Sequence, residues 1–204
     1  MGVSAKMRLR KKLPHAAGIG GGSSDAAATL KALSEFSGQP VPEDAVSLGA
    51  DVPVCLLGRT ARMRGIGEIV TPVDGLPTLH AVLVNPKLPV LTSEVFRRIK
   101  THDNPPMPDT LPQMSSASEL IDWLRNMRND LEASAIEAEP VVKQVFETLS
   151  VTPGCKLARM SGSGGTCFGL YSDAETAASA AGRLKEQRPG WWVAATRLNA
   201  PEVN

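Results

Sequence analysis

The segment PHAAGIGGGSSDAA, residues 14–27, has the residue types and spacing of a ligand-binding loop. Glycine loses more backbone freedom on folding than any other residue, so a glycine run favours a site that the bare backbone must approach. Apolar residues then recur at helical spacing over 26–36 until Gly38 ends the pattern, and we expect Ser23 or Ser24 to cap this helix. A helix N-terminus offers free N–H groups and partial positive charge, so the loop predicts a phosphate site.

Two common phosphate-binding motifs fit this loop poorly. A Walker A loop needs a lysine after its last glycine, but Gly22 is followed by two serines. A dinucleotide-binding fingerprint needs a third glycine where Ser23 stands. A flexible hinge is the structural alternative, and the capped start of a helix argues against it.

A carboxylate that could serve as a general base lies in LGADVPVCLLGRTARMRGIGEIV, residues 48–70. Asp51 precedes the apolar stretch 52–57, whose composition predicts a strand. An aspartate beside glycine and proline often only forms a turn. Held near a phosphate loop, the same carboxylate could orient or deprotonate an attacking hydroxyl. Local sequence leaves both interpretations open.

The elements that must position these residues fall into two predicted domains, 1–76 and 77–204, with the boundary at the proline- and glycine-containing stretch 71–78. Alternation over residues 3–9 predicts a strand before the glycine loop. Beyond the boundary we predict a strand at 79–86, a helix at 92–99 capped by Thr92, a loop at 102–112, a helix through Trp123 and Leu124, a helix over 129–149 that Pro140 kinks or restarts, strands at 155–160 and 166–172, a helix at 174–187 and a strand at 191–198. This order is typical of a ferredoxin-like, two-layer α/β domain with helices on one side of the sheet.

Composition excludes several classes of protein. The net charge of +1 selects neither nucleic acid nor a membrane surface as a partner. No run of about 18 apolar residues is present, so we expect no membrane span. The cysteines, Cys55, Cys155 and Cys167, are far apart and lack the spacing of metal ligands, which suits a reducing cytoplasm. We assign no metal site to these cysteines or to the dispersed histidines.

The glycine loop resembles the second motif of the GHMP kinases. The matching positions are Pro14, Gly18, Ile19, Gly20, Ser23, Ser24 and Ala26. GADVP at 49–53, followed by Gly65, Gly67 and Glu68, is similar to the same family, and so is MSGSGG at 160–165. Three motifs thus occur in the family's order along nearly the whole chain, and the chain is identified as a member on that basis.

The resemblance implies a GHMP kinase fold, with an incomplete N-terminal part like ribosomal S5 domain 2 and a ferredoxin-like C-terminal domain. It implies ATP, with Mg²⁺ carried on the nucleotide, and a small-molecule acceptor. The implied reaction, a step of non-mevalonate isoprenoid biosynthesis, transfers the γ-phosphoryl group to the 2-hydroxyl of a methylerythritol bearing cytidine diphosphate.

The family's motifs also imply roles for individual residues. Asp51 would be catalytic, and Thr92 and Phe96 would lie at the cytidine end of the substrate, with Phe96 stacking on the base. ATP-binding positions would be Pro14, His15, Ala16, Ala17, Gly18, Ile19, Gly20, Gly21, Gly22, Ser23 and Ser24. A second loop near the phosphates would comprise Ser161, Gly162, Ser163 and Gly164. The structural alternatives are a hairpin turn at 161–165 and an ordinary core position for Phe96.

A first motif with a lysine precedes the glycine loop in this family, and we expect the chain to lack it. None of Lys6, Lys11 and Lys12 has that motif around it, so the lysine's role is assigned to none of them. Two alternatives follow for function. The chain could be another small-molecule GHMP kinase, of the homoserine or mevalonate type, or a nucleotide-binding remnant without catalysis.

Overall fold

The structure, a computed structural model, describes residues 4–200. The described chain forms two compact units. The first contains residues 4–13 and 20–74, and the second contains residues 14–19 and 75–200. The chain passes from the first unit to the second at Asp74, whereas the domain boundary after residue 76 stays a prediction.

The first unit consists of one long helix, two short ones and a hairpin. Its elements are α1 (Gly21–Ser37), a 3₁₀ helix (Ala45–Leu48), α2 (Val52–Leu57), β1 (Ala61–Arg64) and β2 (Ile69–Pro72). Helix α1 packs against α2, and β1 pairs with β2 in antiparallel register from Ala61 opposite Pro72 to Arg64 opposite Ile69. This hairpin was not predicted from the sequence, and its turn contains Gly65, Gly67 and Glu68, the GxGE pattern.

The predicted N-terminal strand is wrong for residues 4–9, and Val3 lies outside the described residues. Residues 4–12 form no strand, although Met7 and Leu9 alternate with charged neighbours as predicted. A strand needs the hydrogen bonds of an adjacent strand, and within the described residues none pairs with this segment. Alternation alone therefore did not determine the backbone.

The prediction that Ser23 or Ser24 caps α1 is also wrong, because the helix begins at Gly21. Gly20 occupies the N-cap with a φ of 64°, and its carbonyl accepts from the N–H of Ser24 at 2.8 Å. Ser23 and Ser24 therefore lie inside the first turn. The C-terminus is confirmed, since Gly38 caps α1 in the left-handed conformation.

The apolar stretch 52–57 is a helix, not the predicted strand. The N–H of Cys55 donates to the carbonyl of Asp51 at 3.1 Å, and Gly58 ends the helix with a φ of 74°. Two signals in the sequence favoured this outcome over a strand. Pro53 suits the first turn of a helix but not the middle of a sheet, and Gly58 is a typical C-terminal cap.

The second unit is built on a four-stranded antiparallel sheet. Its elements are β3 (Leu79–Asn85), α3 (Thr92–Arg97), α4 (Ala117–Arg125), α5 (Glu132–Ala138), α6 (Val141–Ser150), β4 (Leu157–Met160), β5 (Cys167–Tyr171), α7 (Ala174–Gln187) and β6 (Trp192–Leu198). The strand order is β4-β5-β3-β6, so β3 lies between two strands that follow it in the chain. This arrangement confirms the predicted ferredoxin-like topology.

Helix boundaries in the second unit follow the sequence with three differences. The helix predicted to begin at residue 129 begins at Glu132. Pro140 restarts the helix rather than kinking it, because proline suits the start of α6 and cannot donate within a continuous helix. Helix α3 ends at Arg97 rather than Ile99, and Leu91, not Thr92, occupies its N-cap. The Thr92 hydroxyl bonds to Ser163 instead of capping the helix.

Apolar side chains cover both faces of this sheet. Val82 and Val84 of β3 join the larger cluster with side chains of α6 and α7. Leu79 and Ala81, on the opposite face of the same strand, join a smaller cluster with Leu120 of α4. The sequence predicted helices on one side of the sheet, and this describes α6 and α7. Helix α4 covers the opposite side, which was not predicted. Among residues 4–200, no helix has the length and apolar character to cross a membrane.

Candidate active site

The N-terminus of α1 is the part of the glycine loop that belongs to the first unit. Gly20 turns the chain into the helix, and Ser24 provides the first amide that donates within it. Within the described residues, no acceptor receives the backbone N–H groups of Gly21, Gly22 or Ser23. These amides and the positive end of the helix form an arrangement that can bind an anion.

Lys11, to which the sequence assigned no role, holds the start of this helix. The Lys11 ammonium donates to the carbonyl oxygen of Gly21 at 2.7 Å and forms an ion pair with Asp25. The side chains of Lys11 and Asp25 are 18% and 32% exposed, so both are partly buried. Ten and fourteen residues separate Lys11 from these partners, so no local sequence pattern indicates the contact.

The structure brings Asp51 next to the glycine loop. A turn in which Val52 N–H donates to the Gly49 carbonyl at 3.0 Å places Asp51 at the N-terminus of α2. A methyl group at Gly20 would lie 3.9 Å from Asp51 Oδ2 and 3.8 Å from Cys55 Sγ. Asp51 is exposed, so its carboxylate can meet a ligand at the start of α1.

The thiol beside this carboxylate is not activated. Burial raises the pKa of Cys55, and the negative charge of Asp51 raises it further. A thiol with a raised pKa is a poor nucleophile near neutral pH. Cys55 is therefore a poor candidate for a nucleophile at this site.

The hairpin turn supports the backbone that carries Asp51. Gly67 is buried with a φ of 116°, and a methyl group there would overlap the carbonyl oxygen of Ala50. Glu68 closes the turn by accepting from the Ile66 N–H at 2.6 Å. The GxGE pattern thus has a positioning role, because Gly67 lets the turn pack against the residue before Asp51.

In the second unit, the other part of the glycine loop packs against residues 161–166. The Ser161 hydroxyl donates to the Gly18 carbonyl at 2.7 Å, and the Thr166 N–H donates to the Ala17 carbonyl at 3.1 Å. A side chain at Gly18 would overlap the Gly164 carbonyl oxygen, and its φ of 67° also favours glycine. The two glycine motifs are therefore mutually fitted, although 143 residues separate Ser161 from Gly18.

Two asparagine side chains donate hydrogen bonds to residues 160–166 and so support the second loop. Asn129, in the segment NDLE, donates from Nδ2 to the carbonyls of Met160 at 3.1 Å and Gly162 at 2.9 Å. Asn85 is buried and donates to the Thr166 hydroxyl at 3.0 Å. Neither side chain was among the predicted site residues, and for Asn85 no local pattern indicates the contact.

The residues predicted for the acceptor substrate lie on α3. Thr92 begins the helix, is exposed and hydrogen-bonds to Ser163 through the two hydroxyl oxygens at 2.8 Å. Phe96 is 53% exposed, which contradicts the alternative that it is an ordinary core aromatic. Val95 between them is fully buried and fixes the helix to the core.

The remaining predicted positions lie in the segment that precedes Gly18. Pro14 is half-buried, His15 and Ala16 are exposed, and Ala17 is buried against the second loop. Ile19 is half-buried and joins this segment to Gly20. Among residues 4–200, no group of three or more His, Cys, Asp or Glu side chains is arranged to hold a metal ion.

Two models of one protein family match this chain. Residues 1–59 match the model of the GHMP kinases N-terminal domain, and residues 111–190 match that of the GHMP kinases C-terminal domain. The chain is 52% identical over 200 residues to a protein of Cereibacter sphaeroides (strain ATCC 17025 / ATH 2.4.3) named 4-diphosphocytidyl-2-C-methyl-D-erythritol kinase. That alignment covers 97% of this chain and 72% of the relative. A protein of the same name from Dinoroseobacter shibae is 51% identical, with 96% and 68% covered.

Solved structures agree with these relatives. A crystal structure of 4-(cytidine 5'-diphospho)-2C-methyl-D-erythritol kinase superimposes with a TM-score of 0.72 at 35% identity, covering 94% of this chain and 69% of the other. Homoserine kinase from Cytophaga hutchinsonii has a TM-score of 0.55 at 16% identity, with 92% and 67% covered, and shares the fold. The chain belongs to the GHMP kinase family.

Proposed function

We propose that this protein transfers the γ-phosphoryl group of ATP to the 2-hydroxyl of 4-diphosphocytidyl-2-C-methyl-D-erythritol, in non-mevalonate isoprenoid biosynthesis. GHMP kinases use ATP as a substrate, and relatives about half identical to this chain are named for that acceptor. The observation that carries the proposal is the placement of the Asp51 carboxylate beside Gly20 at the open N-terminus of α1.

In the first unit, residues 20–24 and Asp51 would have complementary tasks. The free amides at the start of α1 would hold the β- and γ-phosphates, where negative charge is already present and shifts during transfer. Asp51 would accept the proton of the attacking hydroxyl or orient it. Phosphoryl transfer depends mainly on positioning and charge stabilisation, so fixed amides and one carboxylate suit it.

In the second unit, residues 14–19 and the loop 161–164 would contact the nucleotide. Hydrogen bonds from Ser161 and Thr166 fix the two segments together, which supports a single binding element rather than two loose turns. Thr92 and Phe96 would contact the acceptor. The exposed ring of Phe96 is available to stack on a cytosine base, as an aromatic face readily does.

Magnesium would accompany the nucleotide. The chemistry of the site fits this ion, because Mg²⁺ is usually held by one or two carboxylates together with substrate phosphates. Asp51 is the exposed carboxylate next to the free amides at the start of α1. When bound, the ion would neutralise phosphate charge.

The three cysteines are free, which suits the reducing compartment we propose, the cytoplasm.

A substrate panel tests this function. The protein would be incubated with labelled ATP and, separately, with 4-diphosphocytidyl-2-C-methyl-D-erythritol, homoserine or mevalonate, and the phosphorylated products would be identified by mass spectrometry. We expect phosphate on the 2-hydroxyl of the cytidyl substrate alone. Preferred phosphorylation of homoserine or mevalonate would contradict the proposed acceptor, and ATP binding without any product would favour the non-catalytic alternative.

A further inference from the structure

The loop 161–164 and helix α3 meet through two side-chain hydroxyls. Ser163 Oγ and Thr92 Oγ1 lie 2.8 Å apart, although 71 residues separate them in the chain. We propose that this hydroxyl pair couples the nucleotide to the acceptor substrate, so that each ligand strengthens the binding of the other. Both residues act here as positioning residues. The inference rests on the proposed function, which places the nucleotide at the loop and the acceptor at α3.

The remaining contacts of the loop hold its base and leave its tip to Ser163. Ser161 is tied to Gly18, and the carbonyl of Gly162 is tied to Asn129. Gly164 packs closely, since a methyl group there would lie 3.4 Å from Val90 Cγ1, two residues before Thr92. A displacement of the loop tip would therefore reach the start of α3 through the hydroxyl pair and through Val90.

The hydrogen bond between the two hydroxyls can run in either direction, and the number of hydroxyl hydrogens limits what remains for a ligand. Each hydroxyl has one hydrogen to donate and can accept two hydrogen bonds. One hydrogen is used between Ser163 and Thr92, and either residue can be the donor. The other hydrogen thus remains available to donate to a ligand. Thr92 is exposed and Ser163 is half-buried, so a ligand can reach the pair.

A phosphate would determine which hydroxyl donates. Phosphate oxygens only accept, so a phosphate at the loop would take the hydrogen of Ser163, and Thr92 would then donate to Ser163. Thr92 would present only its acceptor lone pairs, and would favour an acceptor substrate that donates a hydroxyl hydrogen to it. The nucleotide would thereby orient Thr92 before the acceptor binds, and linkage requires the effect to be reciprocal.

Equilibrium titration measures this coupling directly. The dissociation constant of a non-hydrolysable ATP analogue would be determined by calorimetry with and without saturating 4-diphosphocytidyl-2-C-methyl-D-erythritol, and the converse titration would also be run. In the unmodified protein we expect each ligand to tighten the other about twofold, because the first ligand selects one of the two donor directions that are open to the free pair. Ser163→Ala and Thr92→Val should each bring the ratio close to one, and the double variant should show no further loss.

Two control variants separate coupling from general damage. Thr92→Ser keeps the hydroxyl and should retain the coupling, and Ser93→Ala removes a neighbouring exposed hydroxyl and should also retain it. Undiminished coupling in Ser163→Ala, or no coupling in the unmodified protein when both ligands bind, would overturn the inference while leaving the proposed function intact. Failure of the cytidyl substrate to bind in its own titration would reject both.

Discussion

The two compact units position their candidate site residues by different means. In the first unit the buried apolar side chains within 20–74 are Ala27, Ala45 and Val52, and large apolar side chains such as Phe36 and Ile66 are exposed. The second unit has clusters on both faces of its sheet. Asp51 is therefore placed mainly by backbone turns, whereas the loop 161–164 is placed by side chains fixed to a packed core. Local stability and chemical importance need not coincide in one molecule.

Hydrogen exchange gives the largest expected contrast between the units. Amides of β3 and β5, in the centre of the sheet, should exchange at least about 10³-fold more slowly than those of α1, because local opening costs less where few apolar contacts are lost. Exchange followed by mass spectrometry measures both in one sample. Equal protection of α1 and β3 would show that the first unit is stabilised by more than its buried side chains.

A matched pair of core substitutions sharpens the same contrast. Leu149→Ala removes a fully buried side chain of the larger cluster and should lower the free energy of unfolding by about 2–5 kcal/mol. Leu33→Ala, at a half-buried position of α1, should cost less than about 1 kcal/mol. Denaturant titration compares the two variants. Similar losses at both positions would contradict the unequal cores.

Asp51→Asn tests whether the first unit, which has few buried apolar side chains, carries the chemistry. The amide keeps the size of the carboxylate and removes its charge and basicity, so turnover should fall about 10²-fold or more while nucleotide affinity is largely retained. Steady-state kinetics and nucleotide titration separate these effects. Since Asp51 is exposed, the melting temperature of the variant should stay close to that of the unmodified protein. Near-normal turnover would return Asp51 to the role of a turn residue.

Gly18→Ala tests the fit between the two glycine motifs in the second unit. The new methyl group would overlap the Gly164 carbonyl oxygen in a left-handed backbone, so nucleotide affinity should weaken about tenfold. Gly182→Ala is the control, because a methyl group at that exposed glycine of α7 would have no neighbour within 4 Å apart from the adjacent residues and backbone of its own helix. Unchanged nucleotide binding in Gly18→Ala would exclude the loop as a rigid binding element.

Local sequence was most informative where caps and periodicity agreed. Helix α7 runs over the predicted residues 174–187, with Asp173 capping it through the Thr176 N–H. The predicted order of elements in the second unit led to the observed sheet topology. The apolar stretch 52–57 was misjudged because a short apolar run suits a buried strand and a buried helix equally well, and only its proline and glycine distinguish them.

The amino-acid sequence by itself determined the glycine motifs, the catalytic candidate Asp51 and the elements of the second unit, because these depend on local spacing, caps and backbone preference. Tertiary structure alone decided the contacts between distant residues. It placed Lys11 on Gly21 and Asp25, Gly67 against Ala50, and Ser163 against Thr92. Such contacts depend on how the whole chain packs, and no periodic pattern in the sequence records which side chains that packing brings together.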